Sequence, residues 1–306
     1  LERKVIVVLG PTCSGKTKLA LEIAHRLESE IISADSRQIY KHLTIGTAKP
    51  SEEELLKANH HLVDFVEPDQ NYNVSKFEND AITAIDKLLY QNKIPIVAGG
   101  SGLYIKAVVD GIFNTVETDE EYRKKLLKIR KEEGNERLYS MLQDCDPVSA
   151  SKMLPQNWKR VIRSLEVFHL TGKPIWQVQD EYEREDNFDF YQFGLLWERE
   201  ALYKNIEKRV DKMIIDGLVN EVQMLLEKGY DKNLNSLNTV GYKEVIDFLE
   251  KNISLEKAIE LIKRNTRRFA KRQMTWFRKD KRIKWLDIDE NVDFSRTADT
   301  IISMIT

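Results

Sequence analysis

Residues 10–17 read Gly10-Pro11-Thr12-Cys13-Ser14-Gly15-Lys16-Thr17, a spacing of glycines, lysine and hydroxyl suited to a di- or triphosphate. Gly10 and Gly15 permit tight turns and close backbone approach. The loop amides then face phosphate oxygens, Lys16 adds a point charge, and the Thr17 hydroxyl can ligate Mg2+. A helix starting here would add the positive end of its dipole. The second informative residue is Asp35, followed by Ser36-Arg37-Gln38. A carboxylate at a strand end beside such a loop can hold magnesium through water, act as general base on an acceptor, or cap the next helix. The segment before it lacks the uninterrupted apolar run that marks a nucleotidase's metal aspartate, which favours the base. His60-His61 invites a metal reading, but adjacent side chains do not face one ligand on a regular strand or helix, and no cysteine or carboxylate cluster has zinc spacing. A structural or substrate-lining role is expected for them.

A third signal lies near the C-terminus. Lys263, Arg264, Arg267, Arg268, Lys271, Arg272, Arg278, Lys279, Lys281, Arg282 and Lys284 are interrupted by a single acid, Asp280. Helical spacing puts Arg264, Arg268, Lys271, Thr275 and Arg278 on one stripe, with Phe269, Trp276 and Phe277 interleaved. A solvated helix usually mixes its charges. This bias is instead suited to a phosphate backbone. The aromatics are expected in the core rather than on bases.

These groups need a scaffold, and the first hundred residues supply an alternating one. Val5–Leu9 reads as a buried strand running into the loop, not as a leader. Thr17–Leu27 reads as a helix, Glu30–Ala34 as a strand ending at Asp35, and Ser75–Tyr90 as a helix with Phe77, Ala81 and Ile85 on one face. Lys93–Ala98 reads as a strand, followed by a turn at Gly99–Gly102. Such alternation implies an α/β fold, a parallel sheet with helices on both faces. Ligands then collect at the carboxyl ends of its strands, where Gly15, Asp35 and Gly99 should converge. From about Asn114 the pattern turns helical: Glu120–Glu133, Glu136–Gln143 and Asn157–Leu170, punctuated by Gly134, Asp146-Pro147 and Pro155, with Gly172 as the last stop. Phe188–Trp197 suggests a return to the sheet. Helices over Glu200–Lys228, Gly241–Lys251 and Leu255–Lys279 and a strand at Ile283–Leu286 complete the pattern. The expected organisation is a phosphate-loop core over 1–115 and 188–306, interrupted by a helical insertion over 116–187.

The chain has 306 residues and a formal net charge of -2, so any nucleic-acid partner must be met by a local patch rather than a global field. Its two cysteines, Cys13 and Cys145, make a structural disulfide unexpected and suit a reducing cytoplasm. No stretch approaches the roughly 18 apolar residues of a membrane helix. The sequence carries no interface signal, and a monomer is expected.

With these residues in hand, the chain closely resembles the tRNA dimethylallyltransferases, also called tRNA isopentenyltransferases. The resemblance runs over nearly the full length. It is carried by GPTCSGKT (10–17), DSRQIY (35–40), GTAKPS (46–51), HHLVDF (60–65), PIVAGGSGLY (95–104), RVIRSLEV (160–167), GKPIW (172–176), GLVNEV (217–222), VGYKE (240–244) and AKRQMTWFR (270–278). Together, in order, these are highly specific. Cys13 departs from the usual Ala but is small, with the backbone doing the binding. Ser101 replaces the usual Thr and keeps the hydroxyl. Trp158 and Lys159 vary from the common residues before Arg160, which weakens carry-over there.

The resemblance implies transfer of the dimethylallyl group of dimethylallyl diphosphate to the exocyclic amine of the adenine 3′ of the anticodon, in tRNAs reading codons that start with U. The loop would then hold a leaving diphosphate, with Mg2+ as cofactor and Lys16 and Thr17 beside it. Asp35 would take the amine proton. By similarity, Asp35, Ser36, Arg37 and Gln38 border a base extruded from the anticodon loop, and Ser101 and Arg123 hold tRNA-contact positions. The insertion, including Arg160 and Arg163, and the face with Lys271, Arg272 and Arg278 would grip the anticodon arm. Three rivals share features. A small-molecule kinase shares the loop and the acid but needs neither the basic helix nor the insertion. An enzyme prenylating free AMP or ATP would share almost every core motif. A nucleic-acid-binding module with a decayed loop is opposed by intact Gly15, Lys16 and Thr17. A loop of this type can also take ATP.

Overall fold

A computed structural model describes residues 3–112, 119–181 and 187–305. The chain divides into two compact units, one of Leu1–Asp110 with Asn187–Thr306 and one of Gly111–Asp186. In chain order the first unit begins with β1 (Lys4–Leu9), α1 (Lys16–Arg26), β2 (Ile31–Ala34), α2 (Glu52–Lys57), β3 (His60–His61), α3 (Val74–Tyr90), β4 (Ile96–Gly99) and α4 (Gly102–Asp110). The second unit holds α5 (Glu120–Cys145), α6 (Pro147–Ser151), α7 (Trp158–Thr171) and α8 (Ile175–Asp180). The first unit resumes with β5 (Asp189–Trp197), α9 (Arg199–Ile215), α10 (Leu218–Glu227), α11 (Tyr242–Leu249), α12 (Leu255–Phe277), β6 (Lys284–Ile288) and α13 (Phe294–Ser303).

The sheet runs β3-β2-β4-β1-β5-β6, and every pairing is parallel. A parallel sheet covered on both faces needs strands apolar on both sides, and Val5 to Leu9 are all fully buried. The alternation splits them between two cores. Val5, Val7 and Leu9 pack with Phe77, Ile85 and Val108 of α3 and α4. Ile6 and Val8 pack with Leu19, Ile23 and Ile301 of α1 and α13. A third core lies among α9 to α12 and takes in Ile39, Tyr40 and Leu43. The helical unit has its own small core around Leu126, Leu138, Val161 and Leu165.

Register places the chemistry. Leu9 and Ala34 both lie opposite Gly99 on the central strand β4. The segments leaving β1, β2 and β4 therefore emerge side by side at the carboxyl edge. At Gly99 a Cβ would stand 2.1 Å from the Ala34 carbonyl oxygen, so only glycine permits this pairing distance.

Several sequence expectations need correction. Glu200–Lys228 is not one helix: it breaks between α9 and α10, where Gly217 adopts φ 101. The expected turn at Gly99–Gly102 is shorter, since Gly99 ends β4 and Gly102 opens α4. The expected break at Gly134 is present: its backbone is non-helical at φ 86 and ψ 180 and divides the run Glu120–Cys145 into two helical segments. Gly172 does end α7, in the left-handed conformation at φ 67. The last helix, α13, was not expected from the sequence. The anticipated boundary near 115 lies outside the described residues. Among the described residues, no helix is long and apolar enough to cross a membrane.

Candidate active site

The phosphate loop is held in place from three sides. Gly15 sits at φ 91 as the N-cap of α1, a conformation that favours glycine. From β5, the Trp197 indole N–H donates to the Ser14 carbonyl at 2.9 Å. From α12, the buried Gln273 accepts from the Thr12 amide at 2.9 Å through Oε1 and donates from Nε2 to the Gly100 carbonyl at 2.9 Å. From α9, the Arg209 guanidinium lies 3.3 Å from Thr12 Oγ1 and 3.5 Å from Cys13 Sγ. The Lys16 ammonium folds back onto the Pro11 carbonyl at 2.6 Å. Burial lowers its pKa to about 8; Asp35 opposes that shift and the Arg209 charge reinforces it. An incoming anion would favour the charged form of this lysine and raise its pKa again.

Asp35 leaves β2 into a turn rather than a helix, which replaces the helix-cap alternative. Its Oδ1 accepts from the amides of Arg37 at 2.9 Å and Gln38 at 3.4 Å. Ser101, between β4 and α4, reaches across: its hydroxyl accepts from the Ser36 amide at 2.9 Å and lies 3.2 Å from Ser36 Oγ. The Arg37 guanidinium donates to the Asn235 carbonyl at 2.6 Å. The Gln38 amide is spent internally, donating to the Ala48 carbonyl at 2.8 Å.

Two cavities share this edge. The smaller, about 100 Å³, is lined by Lys16, Thr17, Asp35, His60 and Gln273, among others. The larger, about 320 Å³, is lined by Ser36, Arg37, Ser101 and Arg272, with an apolar wall of Ile206, Val210 and Met213. Thr12, Asp35, Thr47, Arg209 and Phe269 belong to both walls. Asp35 thus stands where an anion site meets a roomier, partly apolar one.

The sequence of this fold has close counterparts. The family model for IPP transferase matches residues 38–280. A tRNA dimethylallyltransferase of Pelotomaculum thermopropionicum is 48% identical over 97% of this chain and 95% of its own length.

The chain belongs to this family.

A second relative of the same name, from Acetivibrio thermocellus, is 49% identical over 94% of this chain and 92% of its own. The crystal structure of a tRNA isopentenylpyrophosphate transferase from Bacillus halodurans superposes with a TM-score of 0.74 at 37% identity, covering 99% of this chain and 96% of that one. A eukaryotic dimethylallyltransferase described as acting on tRNA gives a TM-score of 0.80 at 30% identity, covering 99% of this chain and 77% of that one.

In this IPP transferase family member, the core site residues expected from sequence do meet. Residues 10–17, Asp35, Ser36, Arg37, Gln38 and Ser101 all lie at one edge of the sheet. The basic helix is more divided than its sequence suggests. Lys263 pairs with Asp211 at 2.6 Å, Arg267 with Glu207 at 2.7 Å, and Arg282 with Asp110 at 2.6 Å. Arg264, Arg268, Lys271, Arg272 and Arg278 are exposed, and no ion pair of theirs is found among the described residues. Trp276 and Phe269 are more than a third exposed, whereas Phe277 is in the core as expected.

Arg123, Arg160 and Arg163 all belong to the helical unit. Arg123 and Arg163 share the buried Glu166 carboxylate, at 2.8 and 2.7 Å from the same oxygen. Their forks are therefore oriented before any partner arrives, while Arg160 is exposed. The adjacent histidines part company on β3. His61 pairs with Glu30 at 2.8 Å, and His60 donates from Nδ1 to the Ala58 carbonyl at 2.9 Å while lining the smaller cavity. Burial lowers the His60 pKa. Among the described residues, no group of three or more His, Cys, Asp or Glu could hold a metal.

Two site residues escaped the sequence reading. Arg209 sits in an ordinary amphipathic helix, and nothing in its local pattern marks it. Gln273 had a signal: it is the neutral amide on the same face as Ala270 and Phe277. The GLVNEV and VGYKE motifs also find their use. The buried Glu221 accepts from the amides of Thr44, Ile45 and Gly46 at 3.0, 2.7 and 3.2 Å and from the Tyr242 hydroxyl at 2.6 Å. That carboxylate fixes the loop whose Gly46 and Thr47 line the larger cavity.

Proposed function

We propose that this chain transfers the dimethylallyl group of dimethylallyl diphosphate to the N6 amine of the adenosine 3′ of the anticodon, in tRNAs that read codons beginning with U, and releases diphosphate. The observation that carries this reading is the position of Asp35 in the walls of both cavities. The loop of residues 10–17 holds the diphosphate. The extruded adenine occupies the larger cavity, bordered by Ser36, Arg37 and Ser101. An adenine amine is a weak nucleophile, because its lone pair is delocalised into the ring. Asp35 accepts its proton as the N6–C1 bond forms and the C1–O bond to diphosphate breaks, the electron pair leaving with the phosphate oxygen. Lys16 and Arg209 stabilise that departing charge. Lys271, Arg272 and Arg278 contact RNA phosphates, and Arg123, Arg160 and Arg163 of the helical unit hold the anticodon arm.

The residues present are compatible with Mg2+. The ion favours oxygen ligands and is commonly held by one or two protein oxygens together with substrate phosphates rather than by a protein cage. Thr17 offers a hydroxyl beside the loop, and Asp35 lines the same small cavity. Bound there, magnesium would neutralise diphosphate charge. We infer a cytoplasmic monomer, in keeping with a tRNA substrate.

The test is incubation of labelled dimethylallyl diphosphate and Mg2+ with unmodified tRNA, beside AMP and ATP. Label is expected in tRNA, at the adenosine 3′ of the anticodon. Label confined to AMP or ATP, or phosphate transfer from ATP without prenylation, would overturn the reading.

A further inference from the structure

Gln273 stands between Arg272 and Met274 in the most basic run of the chain. By sequence neighbourhood it belongs to an RNA surface. By geometry it belongs to the donor site. Helical spacing puts it on the inward face of α12 with Ala270 and Phe277, and it is 7% exposed. A primary amide carries both a donor and an acceptor, and both are used on backbone. Its oxygen takes the Thr12 amide of the phosphate loop, and its nitrogen serves the Gly100 carbonyl after β4. The approach is close enough that a Cβ on Gly100 would lie 2.4 Å from Gln273 Nε2. The same helix face brings Trp276 against Gly102, where a Cβ would lie 2.3 Å from the indole. The side chain joins two loops that neither share a strand nor bond each other by backbone in this region.

We propose that Gln273 is a positioning residue for the diphosphate of the donor. It fixes the backbone at Thr12, and with it the Thr12 side chain that meets Arg209. It contacts neither RNA nor the reacting atoms. Removing it loosens the loop at the turn preceding Cys13 and Ser14 and weakens anion binding, while the exposed cations of α12 remain unchanged. This rests on the prenyl-transfer reading for its kinetic form. Its binding form needs only inorganic diphosphate.

The experiment uses the full chain with Gln273→Met, which keeps length and volume while removing both hydrogen-bonding atoms. Calorimetric affinity for inorganic diphosphate with Mg2+ is expected to fall about tenfold, the scale of two modest hydrogen bonds. KM for dimethylallyl diphosphate should rise by a similar factor, with KM for tRNA within about twofold of the parent. Gly100→Ala, which presses on the same amide from the other side, should reproduce the donor defect. The double variant should be no worse than the poorer single one, because both act through one contact. A tRNA defect with normal diphosphate affinity would overturn the proposal, as would additive losses in the double variant. If the parent bound diphosphate but prenylated no RNA, the functional reading would fail while the role of Gln273 could still be judged from diphosphate affinity.

Discussion

The phosphate loop and helix α12 make an instructive pair. Both touch the same cavities, yet they are encoded differently. The loop is local: residues 10–17 contain the turns, the lysine and the hydroxyl, and a buried strand delivers them. Helix α12 is double-sided. Its exposed face holds Arg264, Arg268, Lys271 and Arg278, whose pattern is plain in the sequence. Its buried face holds Gln273, whose partners lie 261 and 173 residues away. A cationic run is therefore not one functional unit. Some of its charges are exposed, some are neutralised by neighbouring acids, and one uncharged member serves the opposite end of the site.

The comparison can be broken at its centre first. Asp35→Ala should lower turnover on the order of 10³-fold, the usual reach of a general base, while diphosphate affinity stays near that of the parent. Near-normal turnover would remove Asp35 from the chemistry.

The loop itself can be sharpened by pH. Lys16 has a pKa of about 8 in the free site, and an adjacent diphosphate favours its charged form, so the pKa rises on binding. Below about pH 8 the lysine is already charged and contributes no pH dependence. Above it, binding must take up a proton, and this group should weaken diphosphate affinity by up to about tenfold per pH unit until the bound pKa is passed. Lys16→Arg keeps the charge throughout and should flatten that limb. An equally steep limb in the arginine variant would assign it elsewhere.

For the exposed face, Arg272→Ala with Arg278→Ala should weaken RNA binding and reduce the log–log salt slope by about 1.4, or about 0.7 per lost phosphate contact on a single strand. An unchanged slope would exclude those contacts. The smallest effect is expected from Arg267→Ala. Arg267 already pairs with Glu207, and tRNA affinity should stay within about twofold. A loss as large as that of the exposed pair would mean that the ion pair opens on RNA.

Much of the core was legible from sequence. β1 and β4 were marked by apolar runs ending at Gly10 and Gly99, β2 by a short stretch interrupted by Ser33 and ending at Asp35, and parallel-sheet logic brings those ends together. The opening of α4 was hidden because Gly99–Gly102 looks like a turn, and the break at Gly217 was hidden because flanking residues keep helical periodicity. At Gly102 the Trp276 indole lies against the backbone, and at Gly217 the chain turns through the left-handed conformation. Glu221 and Glu244 stood out in the sequence only as members of the GLVNEV and VGYKE motifs, with no partners legible. In the fold they are buried and fully engaged, Glu221 with three amides and a tyrosine hydroxyl, Glu244 with the Gly241 amide at 2.7 Å and Asn265 at 2.7 Å.

By itself the sequence determined the anion cradle, the carboxylate beside it, the α/β core interrupted by helices and the excess of cations near the end, because each depends on residues within a few positions of one another. Only the tertiary structure decided which arginine reaches the loop, which amide braces it and which lysines are already neutralised. Those outcomes depend on hydrogen bonds and ion pairs between distant segments, and such partners are chosen by packing rather than by local spacing.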